Sequence, residues 1–510
     1  MSQSQGFGGW LWSGVRSTVS GLTDTVDSSM NEKRIRLAVT GLSRSGKTVF
    51  ITSLIQNLIA LGEGRDTLPL ITSRLDSNGR SRLRKVTVEP ASVQTIPYFD
   101  FQAKLQALSR PDAAWPPRTE DLSEISISLE IEREGLWQKF GTRRVRMDIL
   151  DYPGEWLLDL PLLDQSYAAW SEDTIERLST PAMLPKTAPF LDYLRGLSPS
   201  GPAEEATTRR GHALYKALLF DLRNDMGLRY LQPGRFLCPG PFGDAPFLWF
   251  FPMAGTDASL PAGSLGRLLQ ARFETYKREI RSSFFDTYFK AFDRQIMLVD
   301  VLGCLYAGKA AFEDTAAAIH DLAVALRDGW GTWSRGGPRR GESTRDSDLP
   351  WPLSLPVTAA MSVVSALFGT RPVDRVAIAA TKADHVPELD RQALKLLLAH
   401  LAKSAAGAIE SDRATVSYHV VSSIRSTEDV TLQLDGRAVR AVQGVLVSGG
   451  RARPFSPGQI PAAEIPDYFW DAAYFELPDF RPPRIDPSGN EGIRHLGLDE
   501  VLDAVIGDRL

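Results

Sequence analysis

An α/β fold with a mostly parallel sheet and a large helical insertion is predicted by three features of this 510-residue sequence. The first is a glycine loop, Gly41-Leu42-Ser43-Arg44-Ser45-Gly46-Lys47-Thr48, set between an apolar β-branched run at 35–40 and a helical run at 49–59. Strand, G-x-x-x-x-G-K-T and helix in that order is the context of a phosphate-binding loop. The second is a series of later strand-like runs, at Ser123–Glu132, 143–150, 296–300, 375–380 and 415–421. Several are short and continuously apolar, as strands buried on both faces are. The third is a long stretch between the second and third of these with helical periodicity, at Tyr167–Leu178, 206–223 and 264–292.

Composition narrows the chemistry. A net charge of −4 gives no electrostatic case for nucleic acid or for an anionic lipid surface. An apolar content of 43% is ample for a core. Cys238 and Cys304 lie far apart without metal-ligand spacing, which suits a reducing compartment. The six histidines are scattered, so no metal is assigned to them. No run reaches the roughly 18 apolar residues of a membrane span, and no secretory leader is apparent, so a cytoplasmic chain is expected. Within residues 1–30, Trp10, Trp12, Val15, Val19, Leu22 and Val26 form an apolar stripe at helical spacing. Its polar face sets Arg16 against Asp24 and Asp27 rather than presenting the basic face of membrane-surface helices, so docking on the protein's own surface is preferred.

Taken in order, the elements suggest a nucleotide site. The loop glycines let the backbone wrap a phosphate, and the helix N-terminus adds partial positive charge. Gly41, Ser43, Arg44, Ser45, Gly46, Lys47, Thr48 and Val49 would bind phosphates, with Lys47 reaching the β- and γ-phosphates and the Thr48 hydroxyl ligating Mg²⁺. An insertion at about 62–118 follows, whose basic part at 74–90 could fold over the nucleotide. In Ser123–Glu132 the alternation of Ile125, Ile127, Leu129 and Ile131 predicts a strand with one wet face. The glycine-bearing stretch 134–142 turns the chain into the strand at 143–150, which ends in Asp151-Tyr152-Pro153-Gly154. An antiparallel pair ending in D-x-x-G is the arrangement of Ras-like domains. There the Asp holds Mg²⁺ through water, and the Gly N–H meets the γ-phosphate. Thr119, in Trp115-Pro116-Pro117-Arg118-Thr119, occupies the place of the switch I threonine that ligates Mg²⁺; a turn or capping threonine is the alternative.

The strand at 375–380 leads into Thr381-Lys382-Ala383-Asp384. This is the guanine-reading N-K-x-D with Thr for Asn; the Asp accepts from guanine N1 and N2, where adenine has no such donors. Ser422, Ser423 and Ile424, after the last strand, match the weaker element beside the base. For hydrolysis, Glu155 stands where Ras-like enzymes carry a water-orienting Gln. It could orient water, or repulsion from the γ-phosphate could push it away, leaving a solvated switch residue or an N-cap anion. Arg44 sits inside the loop, where the string resembles the guanylate-binding proteins, whose loop arginine folds over the phosphates. Stabilising transition-state charge in cis is one reading, and a surface arginine in an ion pair is the other.

The remaining chain reads as support. Pro/Gly-rich pieces at 198–202 and 239–263 are loops, and Phe273, Tyr276, Ile280, Phe284, Phe285, Tyr288 and Phe289 form the core of the insertion. The polar loop 334–348 is solvated, Asp435-Gly436 turns a hairpin, and the aromatic tail from Asp467 wraps the domain. The expected division is an N-terminal segment 1–30, a discontinuous P-loop unit at 31–165 and 294–460, a helical insertion at 166–293 and a tail at 461–510.

G-L-S-R-S-G-K-T, W-P-P-R-T-E-D-L-S-E, D-Y-P-G-E-W-L-L-D-L-P, V-D-V-L, T-K-A-D and G-D-R-L together resemble the YcjX-like family of bacterial P-loop proteins, over nearly the whole chain. The resemblance implies a Ras-like P-loop NTPase domain with inserted helices, and GTP/GDP with Mg²⁺ held at Gly41, Ser45, Gly46, Lys47, Thr48, Asp151, Gly154, Thr381, Lys382 and Asp384. It also implies association with stress responses and a membrane-protein neighbour, hence a cytoplasmic place at the periphery of the inner membrane. A nucleotide-dependent dimer would follow if Arg44 works as an internal finger. Two alternatives stay open at this point: an ATPase of the same fold, and a nucleotide-dependent scaffold with negligible hydrolysis.

Overall fold

The computed structural model describes residues 32–42, 44–77, 79–89, 96–117, 121–135, 139, 141–256, 259–285, 292–333, 373–403, 414–434, 436–462, 465–471, 476–486 and 491–510. The N-terminal stripe, Ser43, Thr119, Tyr288, Phe289, Asp435 and the polar loop 334–348 lie outside these residues.

β1 (Glu32–Gly41) enters the glycine loop and α1 (Lys47–Gly62) leaves it. α1 is buried around most of its circumference, with Phe50, Ile51, Leu54, Ile55 and Leu58 fully inaccessible, as a helix inside a layered domain must be. A short α2 (Pro69–Leu75), a tight β2–β3 hairpin (Asp76–Ser77, Arg80–Ser81) and β4 (Leu83–Glu89) follow. The expectation that 74–90 covers the nucleotide is corrected here. β4 is the edge strand of the main sheet, and its exposed Arg84 pairs with Glu132 on the neighbouring strand, while Arg74 pairs with Asp503. The positive charge answers carboxylates of the protein itself.

α3 (Phe101–Ser109) starts from Asp100, whose side chain accepts the Ala103 N–H. β5 (Ser123–Glu132) and β6 (Thr142–Asp151) then run antiparallel, with Ser123 opposite Asp151. The predicted wet face of β5 is wet only at its far end, where Glu130 and Glu132 are partly exposed; nearer Asp151 it is buried. Ser126 and Ser128 are buried, and the Ser126 hydroxyl donates to Asp148 Oδ1 at 2.6 Å. Arg34 and Arg146 also clasp Asp148. Alternation marked polarity correctly, but on this part of the face the polarity serves an internal ion-pair layer. Burial pushes the Asp148 carboxyl up, yet hydrogen bonds from Ser126, Arg146 and Arg34 hold it below the usual carboxylate range.

The insertion contributes α4 (Tyr167–Leu178), α5 (Leu184–Arg195), α6 (Glu205–Asp225), the one-turn α7 (Gly234–Leu237) and α8 (Leu265–Ile280). The helix expected to run unbroken to 292 leaves α geometry after Ile280 and makes a π turn at Arg281–Phe285. That wider turn keeps the adjacent Phe284 and Phe285 both in the core. β7 (Arg294–Val299), α9 (Val301–Ala307), α10 (Lys309–Trp333), β8 (Arg375–Ala380), α11 (Arg391–Leu401) and β9 (Thr415–Val420) complete the large layer. The sheet order is β4-β5-β6-β1-β7-β8-β9, with the five strands from β6 to β9 parallel. β10 (Thr427–Leu434), β11 (Arg437–Gly444) and β12 (Arg453–Phe455) form a separate antiparallel sheet, and α12 (Asp467–Asp471) and α13 (Leu498–Ile506) belong to the tail.

One face of the main sheet buries Leu37, Val39, Ile127 and Ile149 against α1, α3 and α13. On the other face a single apolar cluster runs from Ala38, Leu150 and Ile378 through Tyr152, Trp156 and Leu157 to Trp170, Tyr215, Phe236, Phe250 and Phe273. The helical insertion therefore shares its core with the sheet, and the residues that join the two lie directly around D-x-x-G.

Candidate functional site

The glycine loop sits at the carboxyl end of β1, flanked by β6 and β7, the kind of switch point where α/β sheets bind ligands. A cleft of about 500 Å³ opens there, within the size range of small-molecule sites. The structure brings Arg44, Ser45, Gly46, Lys47, Thr48, Val49, Glu155, Thr381, Lys382, Asp384, Ser422, Ser423 and Ile424 to its lining. Gly41, Asp151 and Gly154 stand behind that surface rather than on it. The Ser45 N–H donates to Leu42 O at 3.1 Å, and Gly46, in the left-handed region, caps α1. Lys47 Nζ rests 3.5 Å from Gly41 O, over the loop it would leave to meet phosphate. Arg44 is exposed and itself adopts φ 67°, a conformation that strains a residue with a side chain.

Asp151 ends β6 nearly inaccessible to solvent, and Gly154 opens a 3₁₀ turn that runs to Asp159. A Cβ on Gly154 would lie 1.8 Å from Gly41 O, so only glycine lets this turn touch the loop. Glu155 is not solvated: it pairs with Arg223 of α6 at 3.6 Å. The Trp156 indole N–H donates to Cys238 O at 2.8 Å, and the Arg235 guanidinium lies 3.3 Å above its ring. Asp159 accepts from Gly234 N–H and Tyr276 O–H, each at 2.7 Å. Burial pushes the Asp159 carboxyl up to about 6 despite these donors and the nearby Arg235, and burial pushes Arg235 down to about 10.

At the other end of the cleft, Asp384 is 2% exposed, and its Oδ2 accepts from Ser426 N–H at 2.7 Å and Ser426 O–H at 2.8 Å. Lys382 Nζ pairs with Asp300 at 2.7 Å. Burial raises the Asp300 carboxyl, but Lys382, the Gly303 N–H and Arg229 together hold it below the usual carboxylate range. Thr381, standing where guanine readers carry Asn, turns its N–H and hydroxyl onto Val299 O at 3.0 and 3.4 Å. Ser422 donates its hydroxyl to Ile424 O at 2.9 Å, fixing the bend beside Ser423.

Sequence reasoning missed several lining or supporting residues. Asp300 ends an apolar strand and Ser426 lies two residues beyond Ile424, so both carried a positional signal. Trp115 lines the cleft and donates its indole N–H to Phe480 O at 2.8 Å, while Val447, Asp479 and Phe480 close the wall from the tail side. Nothing local in the sequence marks those three, because tertiary contact alone brings them there.

A glycine loop at the switch point, D-x-x-G at the end of the neighbouring strand and a buried aspartate after β8 define a P-loop nucleotide-binding protein of the Ras-like arrangement. The particular family is equally plain: the chain belongs to the YcjX-like family, DUF463, whose profile matches residues 35–510. It is 30% identical over 500 residues to the Ras-like GTPase YcjX of Shewanella oneidensis, covering 94% of this chain and 95% of that one. It is 31% identical over 488 residues to the Ras-like GTPase YcjX of Escherichia coli, covering 94% and 96%.

Proposed function

We propose that this protein binds GTP and GDP and hydrolyses GTP to GDP and phosphate with Mg²⁺, as a switch whose moving part is the turn after D-x-x-G. The observation that carries the guanine reading is Asp384. Ser426 holds its Oδ2, His385 Nε2 stands 4.0 Å from its Oδ1, and the side chain lines the cleft, which supports a carboxylate acceptor for guanine N1–H and N2–H. An adenine base would leave that buried acceptor unanswered, which costs about 1–3 kcal/mol. The names of the two relatives, both Ras-like GTPases, support the same reading.

The donor set fits Mg²⁺. The Thr48 hydroxyl and the Asp151 carboxylate are hard oxygen ligands, with Thr119 as the expected third. Among the described residues no group of three His, Cys, Asp or Glu could hold a metal by itself. When bound, Mg²⁺ neutralises charge at the β- and γ-phosphates. Lys47 leaves Gly41 O to bind the same oxygens, Arg44 faces the developing charge from inside the loop, and Glu155 orients the attacking water. The P-loop unit at 31–165 and 294–460, interrupted by 166–293, houses this chemistry. Among the described residues no helix is long and apolar enough to cross a membrane.

The test is displacement of fluorescent GDP by GDP, GTP, ADP and ATP with Mg²⁺, on the wild type and on Asp384→Ala. Guanine nucleotides should compete at least a hundredfold better, and the variant should lose that preference. Equal competition by ATP in the wild type would return the protein to the ATPases.

A further inference from the structure

The insertion holds three residues of the turn that follows D-x-x-G. Glu155 and Arg223 face each other at 3.6 Å with side chains only 13% and 11% exposed. Gly234 has no room for a Cβ, because Glu155 O would lie 1.8 Å away. Arg235 covers Trp156, and Asp159 holds Gly234 N–H and Tyr276 O–H. Glu155 at the same time lines the cleft, one residue after the glycine that packs on the loop carbonyl. A carboxylate in that place confronts the end of a bound polyphosphate. Unpaired, it repels a third phosphate more strongly than a second, and in a half-buried position the repulsion is poorly screened.

We propose that Arg223, contributed by the helical insertion, sets the preference for nucleoside triphosphate over diphosphate by neutralising Glu155. Arg223 is a positioning residue: it acts through Glu155 and need not touch the nucleotide. The inference rests on the nucleotide-site reading above but not on the identity of the base. It gives the insertion a role in reading the nucleotide state, beyond packing.

Two substitutions shift the preference in opposite directions. Arg223→Ala strips the counter-charge from Glu155, so affinity for the triphosphate falls at least tenfold relative to the diphosphate. Glu155→Gln leaves the Arg223 charge facing the polyphosphate, so the ratio rises at least threefold. The double variant returns to within threefold of the wild type. A residue that only braced the insertion would weaken both nucleotides together, and both single variants would move the ratio the same way or not at all.

The experiment titrates the full chain, with Mg²⁺ at 0.15 M salt, with GDP and a non-hydrolysable GTP analogue, for the wild type, Arg223→Ala, Arg223→Lys, Glu155→Gln and the double variant. Circular dichroism checks folding. If Arg223→Ala fails to fold, Arg223→Lys, which keeps the charge, must hold the wild-type ratio while Glu155→Gln raises it. Ratios that stay put, or that move the same way in both charge variants, overturn the proposal. Parallel titrations with ADP and an ATP analogue separate the two failures: equal binding of adenine sinks the guanine reading, while the triphosphate-to-diphosphate ratio still judges the charge pair.

Discussion

Replacing Gly154 with alanine should prise the turn after D-x-x-G away from the glycine loop. The new Cβ would meet Gly41 O at 1.8 Å, Gly41 C at 2.8 Å and Leu42 Cα at 3.2 Å. An ordinary contact needs about 3.5 Å, so the overlap with the carbonyl is roughly 1.7 Å. Both partners are backbone, and no rotamer change relieves them. Nor can the turn retreat freely, because Trp156 and Asp159 are held from behind by Arg235, Gly234 and Tyr276. Over-packing a well-filled site costs about 1–3 kcal/mol, and a clash with backbone in front and a clamp behind belongs at the upper end, about 3 kcal/mol. The loss should appear in the urea midpoint of the purified protein, and turnover of GTP should fall with it while GDP stays bound. A Gly154→Ala variant with the wild-type midpoint and wild-type turnover would refute the close approach of loop and turn on which this reasoning stands.

Two further substitutions probe the same neighbourhood. Arg44→Ala should lower turnover by about a hundredfold or more with nucleotide affinity changed less than threefold, measured as kcat and Kd side by side; unchanged turnover would reduce Arg44 to a surface cation. Asp159 tests the clamp through pH. Its carboxyl is raised to about 6, so the folded state holds the proton more tightly than the unfolded one. Charging it therefore opposes folding above about pH 6, by roughly 3 kcal/mol at 1.36 kcal/mol per pKa unit, and the penalty fades as the pH falls towards 4. Relative to Asp159→Asn, the wild type should gain about 1 kcal/mol of stability between pH 7 and pH 5 in urea unfolding. An identical difference at both pH values would show that Asp159 ionises like an exposed carboxylate.

Much of the scaffold was legible because its signals are local. β1, β7 and β8 announce themselves as short apolar β-branched runs, and the glycine loop fixes its own place between strand and helix. The misreadings share a cause: residue chemistry was legible, but the partner was not. Ser126 and Ser128 are polar, as a wet face would be, yet the cluster of Arg34, Arg146 and Asp148 covers that part of the face. The basic charge of 74–90 answers Glu132 and Asp503, not phosphate. Glu155 looked hazardous beside a γ-phosphate because its counter-ion comes from nearly seventy residues further on. Trp115 and Phe480 had the same disadvantage, since what matters is where the fold carries them. The roles of Thr119 and Ser43 rest on their places in the motifs alone.

The cleft is assembled from both ends of the chain. Residues 44–49 begin it, yet Phe480 and Asp479 help to close it, and Trp115 is tied to Phe480 across the gap. During synthesis the glycine loop leaves the ribosome roughly 430 residues before Phe480 does, an interval on the order of 20–90 s at about 5–20 residues per second. A nascent chain therefore carries the phosphate loop for most of its synthesis without the wall that completes the pocket. The wall at Asp479 and Phe480 is therefore the last part of the cleft to be made.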